Sequence, residues 1–168
     1  APGLKKRQGS CIYSLLQPYI CFMKKVLVTT DLSANSKAGI RFSIQLSRQL
    51  GCDLVFYHVV EVMKPTSWND ARYKQFEANK IEENESKLRE FVEKVFSDAG
   101  EVTGNHEFKA QIGTRVSEMV IAYAKKIRAD LICTSTRGGG NVRKLFGTHA
   151  SQLLTTSPRP VHQARVEQ

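Results

Sequence analysis

Thr136 to His149 reads TRGGGNVRKLFGTH, a set of residues suited to holding an anion. It follows the apolar run ADLICTS and precedes the helix-like run ASQLLTT. Backbone N–H groups at a glycine-rich turn, followed by a helix N-terminus, can cradle a phosphate. Gly147 permits close backbone approach, the Thr148 hydroxyl can donate to a phosphate oxygen, and Arg137, Arg143 and Lys144 add positive charge. The plainer reading is a flexible turn that joins strand to helix. The Gly-Thr pair, placed where the helix should begin, gives binding the edge. A second polar position is Asp31, which ends the apolar run KVLVTTD and can either face a ligand or cap the following helix.

Other chemistries fail on spacing. A nucleoside-triphosphate loop of the form G-x4-G-K-[ST] needs a lysine between Gly147 and Thr148. A dinucleotide G-x-G-x-x-G needs glycine where Arg143 stands. The chain has no G-x-S-x-G elbow and no H-E-x-x-H pair. His58, His106, His149 and His162 lie far apart, without metal-ligand spacing. Cys133 falls inside an apolar run, where an inert core thiol is expected rather than a nucleophile. No acid/base pair and no nucleophile–base constellation stands out.

These residues need a scaffold, and the hydrophobic pattern supplies one. Residues 25–31, 52–61, 105–113 and 130–135, with PRPVHQARV at the end, read as strands. Residues 34–50, 74–99, 114–129 and 148–156 read as helices, the first capped by Ser33 and stopped by Gly51. Lys37, Arg41, Gln45 and Arg48 form one narrow polar stripe, so the first helix should lie on a sheet. Trp68 and Tyr73 precede or open the long second helix, where an aromatic cap is favoured over a ligand contact. Alternating strands and helices predict an α/β fold, an open, doubly wound, parallel five-stranded sheet with helices on both faces. Ligands are then expected at the carboxyl ends of the strands.

The 168 residues suit one such domain. Cys11, Cys21, Cys52 and Cys133 form no CxxC pair and no disulfide framework, so a reducing compartment is expected. The formal charge is +9, but Lys5, Lys6 and Arg7 lie in an acid-free stretch, and the other 22 basic and 16 acidic residues leave +6. That charge is scattered over helical faces as a solvated surface, and no specific nucleic acid is expected. Residues 1–22 differ in composition from the rest. Their basic KKR and interrupted apolar run imitate a signal peptide, but Gln17 and Pro18 break the run and no A-x-A site follows. They read as a leader or an artificial extension, disordered and poorly tied to a domain spanning 23–168; membrane contact is not expected.

With these segments assembled, the chain resembles the universal stress protein family over about residues 23–166. KVLVTTDLSANSKAGIRFSIQLSRQLG resembles the family's first strand and helix, and DLVFYHVVE its second strand with a His-Val pair. ADLICTSTRGGGNVRKLFGTHASQLLTTSPRPV resembles the closing segment. In the ATP-binding branch that segment follows G-x2-G-x9-G-[ST]. Gly147 and Thr148 match its end, whereas the two earlier glycines fall on Thr134 and Arg137. The extra glycines Gly138 to Gly140 leave room for a shifted loop.

The resemblance implies that Thr29, Thr30, Asp31 and Val59 face base and ribose. It implies that Thr134, Gly147, Thr148 and His149 lie near the phosphates, with Cys133, Arg137 and Gly138 as further candidates for nucleotide contact. It also implies a cytoplasmic homodimer formed through the final strand and a role in stress survival. The expected function is a stress-response binding or regulatory module with a degenerate nucleotide site. The alternative is an ATP-binding stress protein that uses Gly138 to Thr148 as its phosphate cradle. An enzyme ranks third, limited to slow ATP hydrolysis, because no catalytic base is identifiable. The only cofactor these readings admit is ATP or another adenine nucleotide.

Overall fold

β1, Lys25–Thr29, is apolar on both faces, and Val26, Leu27 and Val28 are fully buried. Such a strand is at home only inside a sheet covered on both sides. A computed structural model, which describes residues 23–102, 104, 106–135 and 156–164, places it there. The chain continues through a short 3-10 turn at Ala34–Ser36 into α1, Lys37–Leu50. Then come β2, Asp53–Val60, α2, Asp70–Asp98, and β3, Glu107–Ile112. α3, Val116–Ile127, β4, Leu131–Ser135, and β5, Val161–Ala164, complete the described elements. The sheet has the order β3-β2-β1-β4-β5 and every pairing is parallel. This is the expected doubly wound α/β fold. Its strand order reverses between β1 and β4, the switch point at which such sheets leave a crevice for ligands.

Alternation along the strands divides the core into two layers. Val26, Val28, Phe56 and Cys133 face α1 and α2, packing with Ile40, Ile44, Leu88, Val92 and Val95. Leu27, Val55, Tyr57 and Ile132 face α3, packing with Val120, Tyr123 and Ala124. Each fully buried aliphatic side chain contributes roughly 1.5–3 kcal/mol. Asp130 sets the register at the other end of the sheet. Its Oδ2 accepts the backbone N–H groups of Lys24 (2.9 Å) and Lys25 (3.0 Å).

Element boundaries moved where local caps outcompete periodicity. Ser33 is the cap expected, its hydroxyl accepting the Ser36 N–H at 3.3 Å, but the first turn it caps is 3-10 and the α-helix proper starts at Lys37. Gly51 closes that helix at φ 67°, a left-handed conformation that glycine adopts without strain. The long helix begins at Asp70 rather than near Lys74, because Asn69 accepts the Arg72 N–H at 2.8 Å. Asp70 then suits the positive end of the helix dipole. The buried residues of α2 begin only at Asn84, so apolar periodicity does not mark its first turns. Trp68 packs edge-on against Phe76 (5.2 Å between centroids) beneath the Arg72 guanidinium, and Tyr73 stacks on the same ring. These aromatics do cap the long helix.

Candidate functional site

The carboxyl ends of β1 and β2, with the first turns of α3, enclose a cavity of about 200 Å³. Thr29, Thr30 and Asp31 line it from β1 and the loop beyond. Tyr57 to Glu61 line it from β2, and Val116 and Val120 line it from α3. Val59, Val116 and Val120 give it apolar lining, and Thr29, Asp31, His58 and Glu61 give it polar lining.

The loop after β1 is held by a closed set of hydrogen bonds. The Ser36 hydroxyl donates to the Ser33 carbonyl (2.8 Å), so in the 2.7 Å contact between Thr30 Oγ1 and Ser36 Oγ the threonine is the donor. Thr30 Oγ1 also accepts the Leu32 N–H at 3.0 Å. Thr30 is almost fully buried, and its hydroxyl holds the loop rather than reaching into the cavity. Leu32 sits at φ 61°, a conformation that costs a non-glycine residue roughly 1–2 kcal/mol and persists because this network holds it. The outcome is the placement of Asp31. Its Oδ1 accepts the Ser33 N–H at 3.0 Å, a local turn that leads into the Ser33 cap, and the residue lines the cavity.

His58 braces the same loop from β2. Its Nδ1 lies 2.8 Å from the Thr30 carbonyl oxygen. A carbonyl only accepts, so Nδ1 carries the proton and the neutral ring keeps its lone pair on Nε2. Burial lowers the His58 pKa, opposed by the Thr30 hydrogen bond and the Asp31 charge. Beneath the cavity, Tyr57 stacks on Tyr123 at 4.6 Å, nearly parallel, and donates from its hydroxyl to Gln111 Oε1 at 2.5 Å. Burial raises the pKa of both phenols, that of Tyr123 to about 12, so both stay neutral donors.

Of the residues expected at the site, Thr29, Thr30, Asp31 and Val59 come together around this cavity. Cys133 does not line it. Its side chain points to the α1–α2 core, fully buried, with Sγ 3.4 Å from the Gly39 carbonyl and its pKa pushed up to about 12 by burial. Thr134 lies at the end of β4, on the sheet face toward α3, and is also fully buried. Its Oγ1 finds no hydrogen-bond partner among the described residues. Arg137, Gly138, Gly147, Thr148 and His149 lie outside the described residues. Sequence reasoning did not single out His58, Tyr57, Glu61 or the α3 valines. Only the His-Val pair at the end of a strand pointed toward the first.

The fold and this cleft define an α/β protein with a crevice at the carboxyl end of a parallel sheet. The family model described as "Universal stress protein family" matches residues 23–165, and the chain belongs to that family. Solved structures share the fold at low identity. Universal stress protein UspA from Lactobacillus plantarum has 18% identity and a TM-score of 0.65, over 85% of this chain and 98% of its own. A universal stress protein in complex with cAMP has 17% identity and a TM-score of 0.62, over 86% and 99%. The universal stress protein from Archaeoglobus fulgidus in complex with dAMP has 16% identity and a TM-score of 0.50, over 86% and 98%. No curated protein matches the chain by sequence. No described helix is long and apolar enough to cross a membrane.

Proposed function

We propose that this protein is a non-catalytic, stress-response binding module whose cavity takes the base and ribose of an adenine nucleotide, with a degenerate phosphate loop. The cavity carries the reading: Thr29, Asp31 and Val59 meet at the ends of β1 and β2, with Val116 and Val120 across from them. Its volume, about 200 Å³, is below the roughly 300–1,000 Å³ of sites that enclose drug-sized ligands. It therefore suits a base, with ribose at the Asp31 rim and phosphate beyond. Two relatives of this fold are complexes with cAMP and dAMP, each an adenine nucleotide with a single phosphate. A loop with Thr134 and Arg137 in place of two motif glycines fits that chemistry better than a triphosphate.

The second reading is full ATP binding through Gly138 to Thr148. The Gly147-Thr148 pair favours it, with Arg137 as a phosphate clamp. Calorimetric titration of the parent, Arg137→Gly and Gly147→Val with AMP and ATP separates the two. A degenerate loop gives equal or weaker binding of ATP than of AMP, and Arg137→Gly, which restores a motif glycine, raises ATP affinity about tenfold. Micromolar or tighter ATP binding, abolished in Gly147→Val, overturns the degenerate loop. Absence of binding by either nucleotide overturns the nucleotide reading itself.

A homodimer across the free edge of β5 belongs to the same proposal. β5 pairs only with β4 among the described residues. The Ile132 N–H donates to the Pro160 carbonyl at 3.0 Å, so strand alternation turns the N–H and C=O of Val161 toward the open edge. A second copy can satisfy those groups. A cytoplasmic setting fits the two described cysteines, both free and buried.

A further inference from the structure

The loop after β1 and the middle of α2 leave a groove between them. It holds about 280 Å³ and is lined by Leu32, Lys87, Glu90, Phe91 and Lys94. It is separate from the cavity at the strand ends. That cavity lies on the α3 side of the sheet, whereas Leu32 and Phe91 pack against the core layer under α1 and α2. Consecutive residues serve the two places, Asp31 the cavity and Leu32 the groove. Leu32 holds φ 61°. Backbone geometry alone favours glycine or asparagine there, and neither supplies an apolar wall. Lys87, Phe91 and Lys94 stand at i, i+4 and i+7 on α2, so the two lysines flank the ring along one helix face. From α1, Lys37 brings its Nζ to 5.8 Å from the centre of the same ring. Lys87 is paired with Glu83 at 2.5 Å, but among the described residues neither Lys37 nor Lys94 is in an ion pair. Those two free lysines outweigh Glu90 by one positive charge.

We propose that this groove is a second binding site, for a small amphipathic monoanion: a carboxylate on a short alkyl chain. The chain lies on Leu32 and Phe91, and the carboxylate is held by the lysine rim, with Lys94 as the unpaired cation that lines the groove. A single excess positive charge matches a single anionic head. A volume just below the roughly 300–1,000 Å³ of sites for drug-sized ligands matches a short chain. Lysine stems cover apolar surface while their ammonium groups stay in water, so the head keeps part of its hydration and no charge is buried. Most of the affinity then comes from the apolar tail, and the lysines select its charge. The site does not depend on the nucleotide reading.

The test titrates the full chain with octanoate, followed by amide chemical shifts in NMR. Acetate lacks the tail and octanamide lacks the charge. The proposal expects saturable octanoate binding with shifts centred on Leu32 and on Lys87 to Lys94, weaker binding of octanamide, and none of acetate. Leu32→Asn tolerates the positive φ but removes the apolar wall, and should weaken octanoate about tenfold. Lys94→Gln, at an exposed position, should weaken octanoate roughly three- to fivefold and leave octanamide unchanged. Lys125→Gln, exposed on α3, should bind as the parent does. Melting of each variant confirms that it is folded, and Lys94→Gln decides the matter if Leu32→Asn is not. No saturable octanoate binding overturns the proposal. So do shifts centred on Val59 and Val116, which would put octanoate in the cavity instead, or an octanoate affinity that Lys94→Gln leaves equal to the parent's.

Discussion

Replacing His58 by asparagine should flatten the acid limb of the stability profile. The asparagine amide can reproduce the Nδ1–H bond to the Thr30 carbonyl, 2.8 Å in the parent, but cannot take up a proton. Burial holds the folded-state pKa of His58 below its ordinary 6.5, with the Thr30 bond and Asp31 only partly opposing it. The unfolded chain then binds more protons than the folded one. His58 therefore contributes stability that is complete above pH 6.5 and is lost as the pH falls from there toward the folded-state pKa. At pH 6 an unfolded histidine is about three-quarters protonated, so at about 1.4 kcal/mol per proton and pH unit the slope from this one group is at most about 1 kcal/mol per pH unit. His106 and His162, also lowered by burial, add slope of the same sign in both proteins and cancel in the difference. Asp70 and Glu83, lowered by their lysine partners, titrate below this window. The assay is urea unfolding from about pH 5 to 7.5, with ΔG compared between parent and His58→Asn. Identical slopes in the two proteins would refute the reasoning, because they would mean that His58 titrates alike in the folded and unfolded states.

Val161→Pro removes an N–H from the open edge of β5 while sparing the Pro160 carbonyl that binds β4, so it should shift the protein toward monomer in sedimentation without lowering the melting temperature much. An unchanged dimer would place the interface elsewhere. Asn69→Ala removes the cap of α2, a side chain that accepts the Arg72 N–H, and should cost about 1 kcal/mol in chemical unfolding. Leu88→Ala empties a fully buried position between α2 and the sheet and should cost roughly 2–5 kcal/mol, read by the same measurement. A chain that starts at Met23, the first described residue, should keep the melting temperature of the full chain; a marked drop would tie residues 1–22 to the fold.

Sequence by itself determined the elements and their class. Buried parallel strands are apolar on both faces and charged helices show a single dry stripe, so KVLVT, DLVFYHVV and LICTS were legible as strands wherever they would sit. Ser33 and Gly51 were legible as caps because capping is local chemistry. Candidate residues of the cavity were legible through Asp31 and the family resemblance. Tertiary structure decided what depends on residues distant in the chain. β1 lies between β2 and β4, and the Asp130 carboxylate that ties Lys24 to the start of β4 acts across 106 positions. No periodicity reports that adjacency. The Thr30 hydroxyl proved to be scaffold, and His58 its brace, because partners on another strand and on a later turn use their hydrogen-bonding capacity. The same adjacency sets Val28 beside Cys133 across β1 and β4, since a side chain's type is written in the sequence but its neighbours are set by the fold.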